Sequence, residues 1–312
     1  MTDMTPPAAS VDVTIIGRAN IDLTVRVPYH PSPGARQTVF GSELVATAGG
    51  KSLNQAIAVS RLGGRACLVA NAGADHWGHQ LRTTLVEAGV DVGQFRILPD
   101  VPTGVAIIEV TPDGENVIVL ATSPKTELTA EQVGIALAES AAPVVVVQLD
   151  LPPEPVVAAL AESRRPMIRV GNLVPHTVLD PDLMRYLDVL VVNHHEAATM
   201  LGGGDVADPL AAAQRLRELG PPTVVVTAGA DGAAYSHADH AGRVAASKVP
   251  VVDTTGAGDA FLGGLVLVLA GGAALPEAVA RAVRVGTDAV QHEGAHSPIR
   301  QGREVPDVVS RS

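Results

Sequence analysis

Asp253-Thr254-Thr255-Gly256-Ala257-Gly258-Asp259-Ala260-Phe261 follows a Val-rich stretch and opens a long apolar segment. A glycine-rich turn at the head of a helix aims several backbone N–H groups at one point, where the helix dipole also favours negative charge, so the turn reads as an anion site. Asp259 stands beside it, where phosphate repulsion would otherwise exclude an acid. A carboxylate is useful there if it takes a proton from an attacking hydroxyl. The plainer account is a helix N-terminus with glycines for close packing and a first-turn acid.

A strand, a tight turn and a helix in that order imply more of the same, and the chain supplies them. Val11 to Ile16, Ala66 to Ala70, Val144 to Leu149, Met167 to Val170, Val189 to Val192 and Thr223 to Thr227 are short apolar runs expected as strands. Between them Asn54 to Leu62, His79 to Ala88, Pro155 to Ser163, Glu196 to Leu201 and Pro209 to Leu219 carry helical periodicity. The alternation predicts an α/β fold of three layers, a mainly parallel central sheet with helices on both faces. Leu23 to Val27 with Gln37 to Thr47, and Gly104 to Val110 with Glu115 to Ala121, break the pattern and are expected as strands of a small β-sheet lid. Thr111-Pro112-Asp113-Gly114 supplies a tight turn within the second pair. A single domain over 11–304 is expected, with short tails at 1–10 and 305–312.

Composition narrows the function. With 46% hydrophobic but only 2% aromatic residues, the core is built from Ala, Val, Leu and Ile. A formal net charge of −11 argues against nucleic acid and anionic lipid as partners. The lone Cys67 lies in an apolar run and reads as a small buried hydrophobe. The first ten residues lack the basic start and apolar core of a signal peptide, and Ala260 to Ala274 is too short and too glycine-broken to span a bilayer. A cytoplasmic protein is the expectation.

The nine-residue stretch resembles the C-terminal signature of the ribokinase or PfkB family of carbohydrate kinases. The resemblance makes Asp259 the base and the amides of Gly256, Ala257, Gly258 and Asp259 the hole for the transferring phosphoryl group. Ala48-Gly49-Gly50-Lys51-Ser52-Leu53-Asn54-Gln55-Ala56 is similar to the family's N-terminal signature, a Gly-Gly turn opening a helix under the sugar. Lys51 and Asn54, three apart on that helix, share a face and could both address hydroxyls. A Walker loop is not supported, because its first glycine would fall on Val45. Asn20 and Asp22 share one side of an extended segment, and the family sets such a pair against sugar hydroxyls. No G-x-G-x-x-G follows Gly17, so a nicotinamide or flavin site is not indicated.

Asn193-His194-His195-Glu196 matches the family's Asn-x-x-Glu element, which implies Asn193 and Glu196 as nucleotide contacts, with Glu196 reaching Mg²⁺ through water. The adjacent histidines lack zinc-site spacing. Thr227, Gly229 and Gly232 are, by the same resemblance, near the phosphates and ribose of ATP. Asp253, Thr255, Ala289, His292 and Gly294 match positions that enclose K⁺, although Pro298 stands where the family has a serine and Ser297 precedes it.

The resemblance covers about Val11 to Pro298. Two departures touch the sugar pocket: Ser52-Leu53 replace small Gly-Ala, and Asp150 replaces a Glu. The implied activity is transfer of the γ-phosphoryl group of ATP to a sugar hydroxymethyl group. Ribose is the favoured acceptor; fructose, another ketose or a nucleoside is the alternative. A non-catalytic sugar-binding protein on the same fold is less well supported by the intact signature. The family also implies a homodimer paired through the lid.

Overall fold

The computed structural model describes residues 11–32, 34, 38–161, 167–173, 181–204, 206–238 and 240–296. The expected tails, residue 37, the end of the expected helix at 162–163, and Ser297 and Pro298 lie outside them. In chain order the first strands are β1 (Val13–Ile16), β2 (Asn20–Arg26), β3 (Val45–Gly49), β4 (Ala66–Gly73), β5 (Phe95–Leu98), β6 (Val105–Val110) and β7 (Asn116–Ala121). They are followed by β8 (Val144–Gln148), β9 (Ile168–Asn172), β10 (Val189–Asn193), β11 (Thr223–Thr227), β12 (Ala233–His237) and β13 (His240–Val244). The helices are α1 (Lys51–Arg61), α2 (His76–Glu87), α3 (Ala130–Glu139), α4 (Pro153–Leu160), α5 (Pro181–Met184), α6 (His194–Met200), α7 (Pro209–Arg217), α8 (Ala257–Ala270) and α9 (Leu275–Ala289).

The large sheet has nine strands in the order β13-β12-β11-β10-β9-β8-β1-β4-β5. It is parallel from β11 to β5, and β12 and β13 add an antiparallel edge. Its central strands are Val-rich on both faces because both are covered. Alternate residues divide between two cores. Val13, Ile15, Val144 and Val146 pack with Leu53 and Ile57 of α1, Leu81 of α2, Leu265 of α8 and Val279 of α9. Ile16, Val145 and Val147 pack with Val133 of α3, Val156 of α4 and Leu216 of α7. The three expected layers follow directly from that period-two alternation.

β1 and β8 are neighbours, yet from β1 the chain moves to β4 on one side, and from β8 to β9 and β10 on the other. Such a switch point opens a crevice at the carboxyl ends of the strands, where open α/β sheets bind ligands. Above it stands a separate four-stranded sheet, β3-β2-β6-β7. One expectation here is corrected. Of the segment Gln37 to Thr47, residues 38–44 are not strand, and pairing with β2 begins at Val45. Ser42 gives the reason: its Oγ accepts from Arg26 N at 3.0 Å while its own N–H donates to the Arg26 carbonyl at 2.8 Å, so a side chain takes a bond the ladder would need. At the other end β2 begins earlier than expected, at Asn20, which draws Asn20 and Asp22 into the sheet.

Candidate active site

The register of β2 with β3 sets Asn20 opposite Gly49 and Asp22 opposite Thr47. The two segments singled out near the N-terminus therefore meet. Asn20 Nδ2 donates to Asp22 Oδ1 at 2.6 Å. Both side chains lie against the Gly-Gly turn: a Cβ on Gly49 would overlap the Asp22 carboxylate, and one on Gly50 would come within 2.7 Å of Asn20 Oδ1. Gly50 also has φ +93°, which only glycine adopts without strain. Burial pushes the Asp22 carboxyl up to about 6; the Asn20 bond opposes this and the charge of Asp259 adds to it.

Asp259, in the first turn of α8, completes the same site. Asn54 Nδ2 donates to its Oδ2 at 3.0 Å and Gln55 Nε2 to its Oδ1 at 2.9 Å. The residue keeps partial access to solvent from the cleft, but protein encloses the carboxyl. That enclosure raises its pKa; the Asn54 bond, the Lys51 charge and the Gln55 bond pull the other way, and Glu196 pushes it up again. Gly256 caps the helix in the left-handed region, φ 74°. Ala257 N–H donates to the Thr254 carbonyl at 3.2 Å, so one of the four amides expected in the anion hole is engaged within the turn. Gly258 and Asp259 lie in the first turn, where helix geometry provides no acceptor for N–H groups.

Lys51 and Asn54 leave their shared helix face in different directions. Lys51 Nζ donates to the Leu173 carbonyl at 2.8 Å and lies 3.3 Å from Glu196 Oε1. Asn54 stays with Asp259, and its Oδ1 meets His296 Nε2 at 2.9 Å. Burial, with the nearby Arg61 charge, takes His296 down to about 4. Asp150 is held by Arg18, whose Nη1 donates to the Asp150 carboxylate at 2.6 Å and to its carbonyl at 3.0 Å. Arg18 Nε also donates to Glu127 at 2.9 Å, so the shorter acid at 150 comes with a guanidinium that locks it in place.

On the far side of the crevice, Asn193 and Glu196 form a reciprocal capping box at the start of α6. Glu196 is buried, one oxygen accepting from Asn193 N at 2.8 Å and the other facing Lys51. Thr227 pairs with Asn193 in register, and Gly229 and Gly232 shape the β11–β12 turn, both at positive φ. Asp253 ties two segments together. Its Oδ1 accepts from Thr255 N at 2.9 Å and Thr255 Oγ1 at 2.7 Å, and its Oδ2 accepts from Gly294 N at 2.9 Å. Burial raises its pKa, but these bonds together outweigh that and hold it below the ordinary range. The Val290 carbonyl takes the N–H of Val252, and the Ala289 carbonyl takes that of His292, so Asp253, Thr255, Ala289, His292 and Gly294 are brought into one neighbourhood. Cys67 stands apart, buried, its thiol pushed up to about 12 by burial, then by Asp91.

Five polar residues in or behind the site were not anticipated: Arg18, Gln55, Gln148, Asn172 and His296. Gln148 ends β8 after four valines, and a polar residue in that position is a readable signal; Asn172 ends β9, which already carries Arg169 and so gives no such contrast.

A carboxylate enclosed by protein and held by two side-chain amides, beside a glycine turn at the head of a helix, is an arrangement suited to phosphoryl transfer. Residues 11–301 match the pfkB family carbohydrate kinase, and the chain belongs to that family. It is an ATP-dependent sugar kinase. The chain is 30% identical to the ribokinase of Haemophilus influenzae over 299 residues, covering 94% of this chain and 96% of that one. Its fold is similar to ribokinase from Thermotoga maritima, with TM-score 0.82, 28% identity and coverage of 93% and 96%. It is likewise similar to ribokinase from Cryptococcus neoformans var. grubii in complex with ADP, with TM-score 0.77, 30% identity and coverage of 94% and 97%.

Proposed function

We propose that the chain transfers the γ-phosphoryl group of ATP to the hydroxymethyl group of ribose, with Asp259 as the base. The observation that carries this reading is Asp259 itself, held by Asn54 and Gln55 with a raised proton affinity at the head of α8. Asn20, Asp22 and the Gly49-Gly50 backbone line the acceptor side, joined by Asn54 and by the Asp150 oxygen that Arg18 leaves unengaged. Ribose is favoured because the similar ribokinases match over nearly the whole chain. Lys51 lies between the acceptor side and Glu196, where a cation can meet charge moving from ATP to the sugar.

The nucleotide lies, on this reading, along Asn193, Thr227, Gly229 and Gly232. Both Glu196 oxygens are already engaged, which suits Mg²⁺ held through water and not by direct ligation. The metal would neutralise phosphate charge. Carbonyls around Asp253, Thr255, Ala289, His292 and Gly294 suit K⁺, which would order the glycine turn from behind. The protein is read as a cytoplasmic homodimer paired through the small sheet, a lid over the sugar. Val45, Ile107, Val117, Ile118, Val119 and Leu120 are exposed there, and a protomer's lid leaves them uncovered. Single scattered apolar residues need no partner, but this set shares one small sheet.

A coupled assay of ADP release across ribose, deoxyribose, fructose, tagatose, adenosine and uridine tests the substrate. Ribose is expected to have the highest kcat/KM; a higher value for any other acceptor overturns the choice of ribose but not of kinase. Light scattering at tens of micromolar is expected to return a dimer mass, and a monomer would refute lid pairing.

A further inference from the structure

Behind Asp259 the side-chain amides form a chain whose direction is set at one end. The Val191 carbonyl in β10 can only accept, so Asn172 presents Nδ2 to it, at 3.1 Å. Asn172 Oδ1 is then the acceptor, and it takes Gln55 Nε2 at 3.1 Å. The same nitrogen donates to Asp259 Oδ1 at 2.9 Å. Gln55 is left with Oε1 on its other side, where Gln148 Nε2 donates at 2.7 Å. A carboxamide has donors at one end and an acceptor at the other. Turning any amide in this chain would set oxygen against oxygen.

We propose that Gln148 is a positioning residue for phosphoryl transfer: by donating to Gln55 Oε1 it keeps the Gln55 N–H groups turned toward Asp259 and so fixes the carboxylate. The inference rests on the reading of Asp259 as the base. Gln55 and Gln148 are 1% and 2% exposed, so neither meets solvent in the cleft. Gln148 ends a strand that is otherwise all valine. A fifth valine would suit that core better, because a buried amide is costly unless its groups are bonded. Gln148 Oε1 has no hydrogen-bond partner among the described residues. Among the described residues the amide's protein contact is the bond to Gln55, so its influence on the site passes through Gln55. The backbone makes room for it: a Cβ at Gly17 would overlap Ser52 Oγ and lie 2.6 Å from Gln148 Cγ.

The test is steady-state kinetics of Gln148→Met, Gln55→Met, the pair and Asp259→Asn in the full-length protein, with the best acceptor sugar and ATP, from about pH 5 to 9. Gln148→Met is expected to lower kcat about ten- to a hundredfold, as a misplaced catalytic group does. KM for sugar and ATP should stay within about twofold. Losing the donor at Gln55 removes an interaction favouring the ionised base, so the acidic limb of kcat should move to higher pH. Because Gln148 acts through Gln55, the pair should be no slower than Gln55→Met alone.

Should Gln148→Met fail to fold, Gln148→Glu carries the test. As a neutral acid it can donate to Gln55 Oε1, and on ionising it cannot. Its kcat should approach the parent's at low pH and fall below it as pH rises. Unchanged kcat and limb in Gln148→Met, losses that multiply in the pair, or a Gln148→Glu profile parallel to the parent's would each overturn the inference. An Asp259→Asn variant that turns over at the parent rate would instead remove the base reading, and the inference with it.

Discussion

Asp253 and Asp259 stand at either end of one turn, and the structure uses them in opposite ways. Asp253 is wrapped by main-chain N–H groups of Thr255 and Gly294 and by the Thr255 hydroxyl, and its pKa falls. Among the described residues Asp259 receives side-chain amides alone, in an enclosed cleft, and its pKa rises. Backbone donors, fixed and well aimed, more than replace the water that Asp253 loses. Two carboxamides do not do so for Asp259. The first acid therefore serves as a permanent anion that ties the C-terminal loop to the glycine turn. The second retains an appetite for a proton, which is what a base requires.

The sharpest way to break the comparison is Asp259→Asn. It keeps shape and hydrogen bonding but cannot take a proton, so kcat should fall by about 10²- to 10⁴-fold with sugar and ATP affinity nearly intact. Single-turnover kinetics would measure it. In the parent, kcat should fall as pH drops through the raised Asp259 pKa, placing the acidic limb above the ordinary aspartate range. Asp22→Ala comes next: removing the partner of buried sugar hydroxyls should weaken sugar binding at least about tenfold by calorimetry.

Asp22 also offers a stability test. Its folded pKa is raised from 3.8 to about 6, so it costs nothing below the lower value, and its cost grows as pH rises through the higher. Asp22→Asn should accordingly raise Tm near neutral pH and leave it unchanged near about pH 4. Asp253→Ala should act the other way. Its stabilisation is present above the ordinary carboxylate pKa and lost as pH falls through the lowered one, so the variant's Tm deficit at neutral pH should shrink in acid. With the group partly exposed, the loss should be about 1–2 kcal/mol by denaturant unfolding. The smallest effect is expected from replacing K⁺ with Na⁺, which should slow ATP turnover by loosening the turn behind the hole. Equal rates would mean that Asp253 alone orders it.

The architecture was legible because it rests on period and burial. Val144 to Gln148 could only be a strand covered on both faces, and β4, β10 and β11 read in the same way. Less apolar elements are not legible in this way: β12 and β13 mix Ala, Gly, Ser and His, and α3 and α9 lie outside the expected helices although Thr129 and Gln132 form a capping box at the head of α3. The stretch 38–44 carried too little pattern to show that Ser42 would displace a ladder bond. Motif residues were legible one by one, since Asn20, Asp22, Asn54 and Asp259 belong to short local signatures.

Their partners were not. Sequence alone determined the alternating α/β order, the glycine turns and the identity of the acid at the head of α8, because each depends on neighbours a few positions away. Only the tertiary structure decided that Arg18 would lock Asp150, that Lys51 would turn to Glu196, that Gln55, Gln148 and Asn172 would meet behind Asp259, and that His296 would reach Asn54. Those contacts join residues up to 242 positions apart. A hydrogen bond depends on distance and direction in space, and no local pattern of side chains encodes either across such a span.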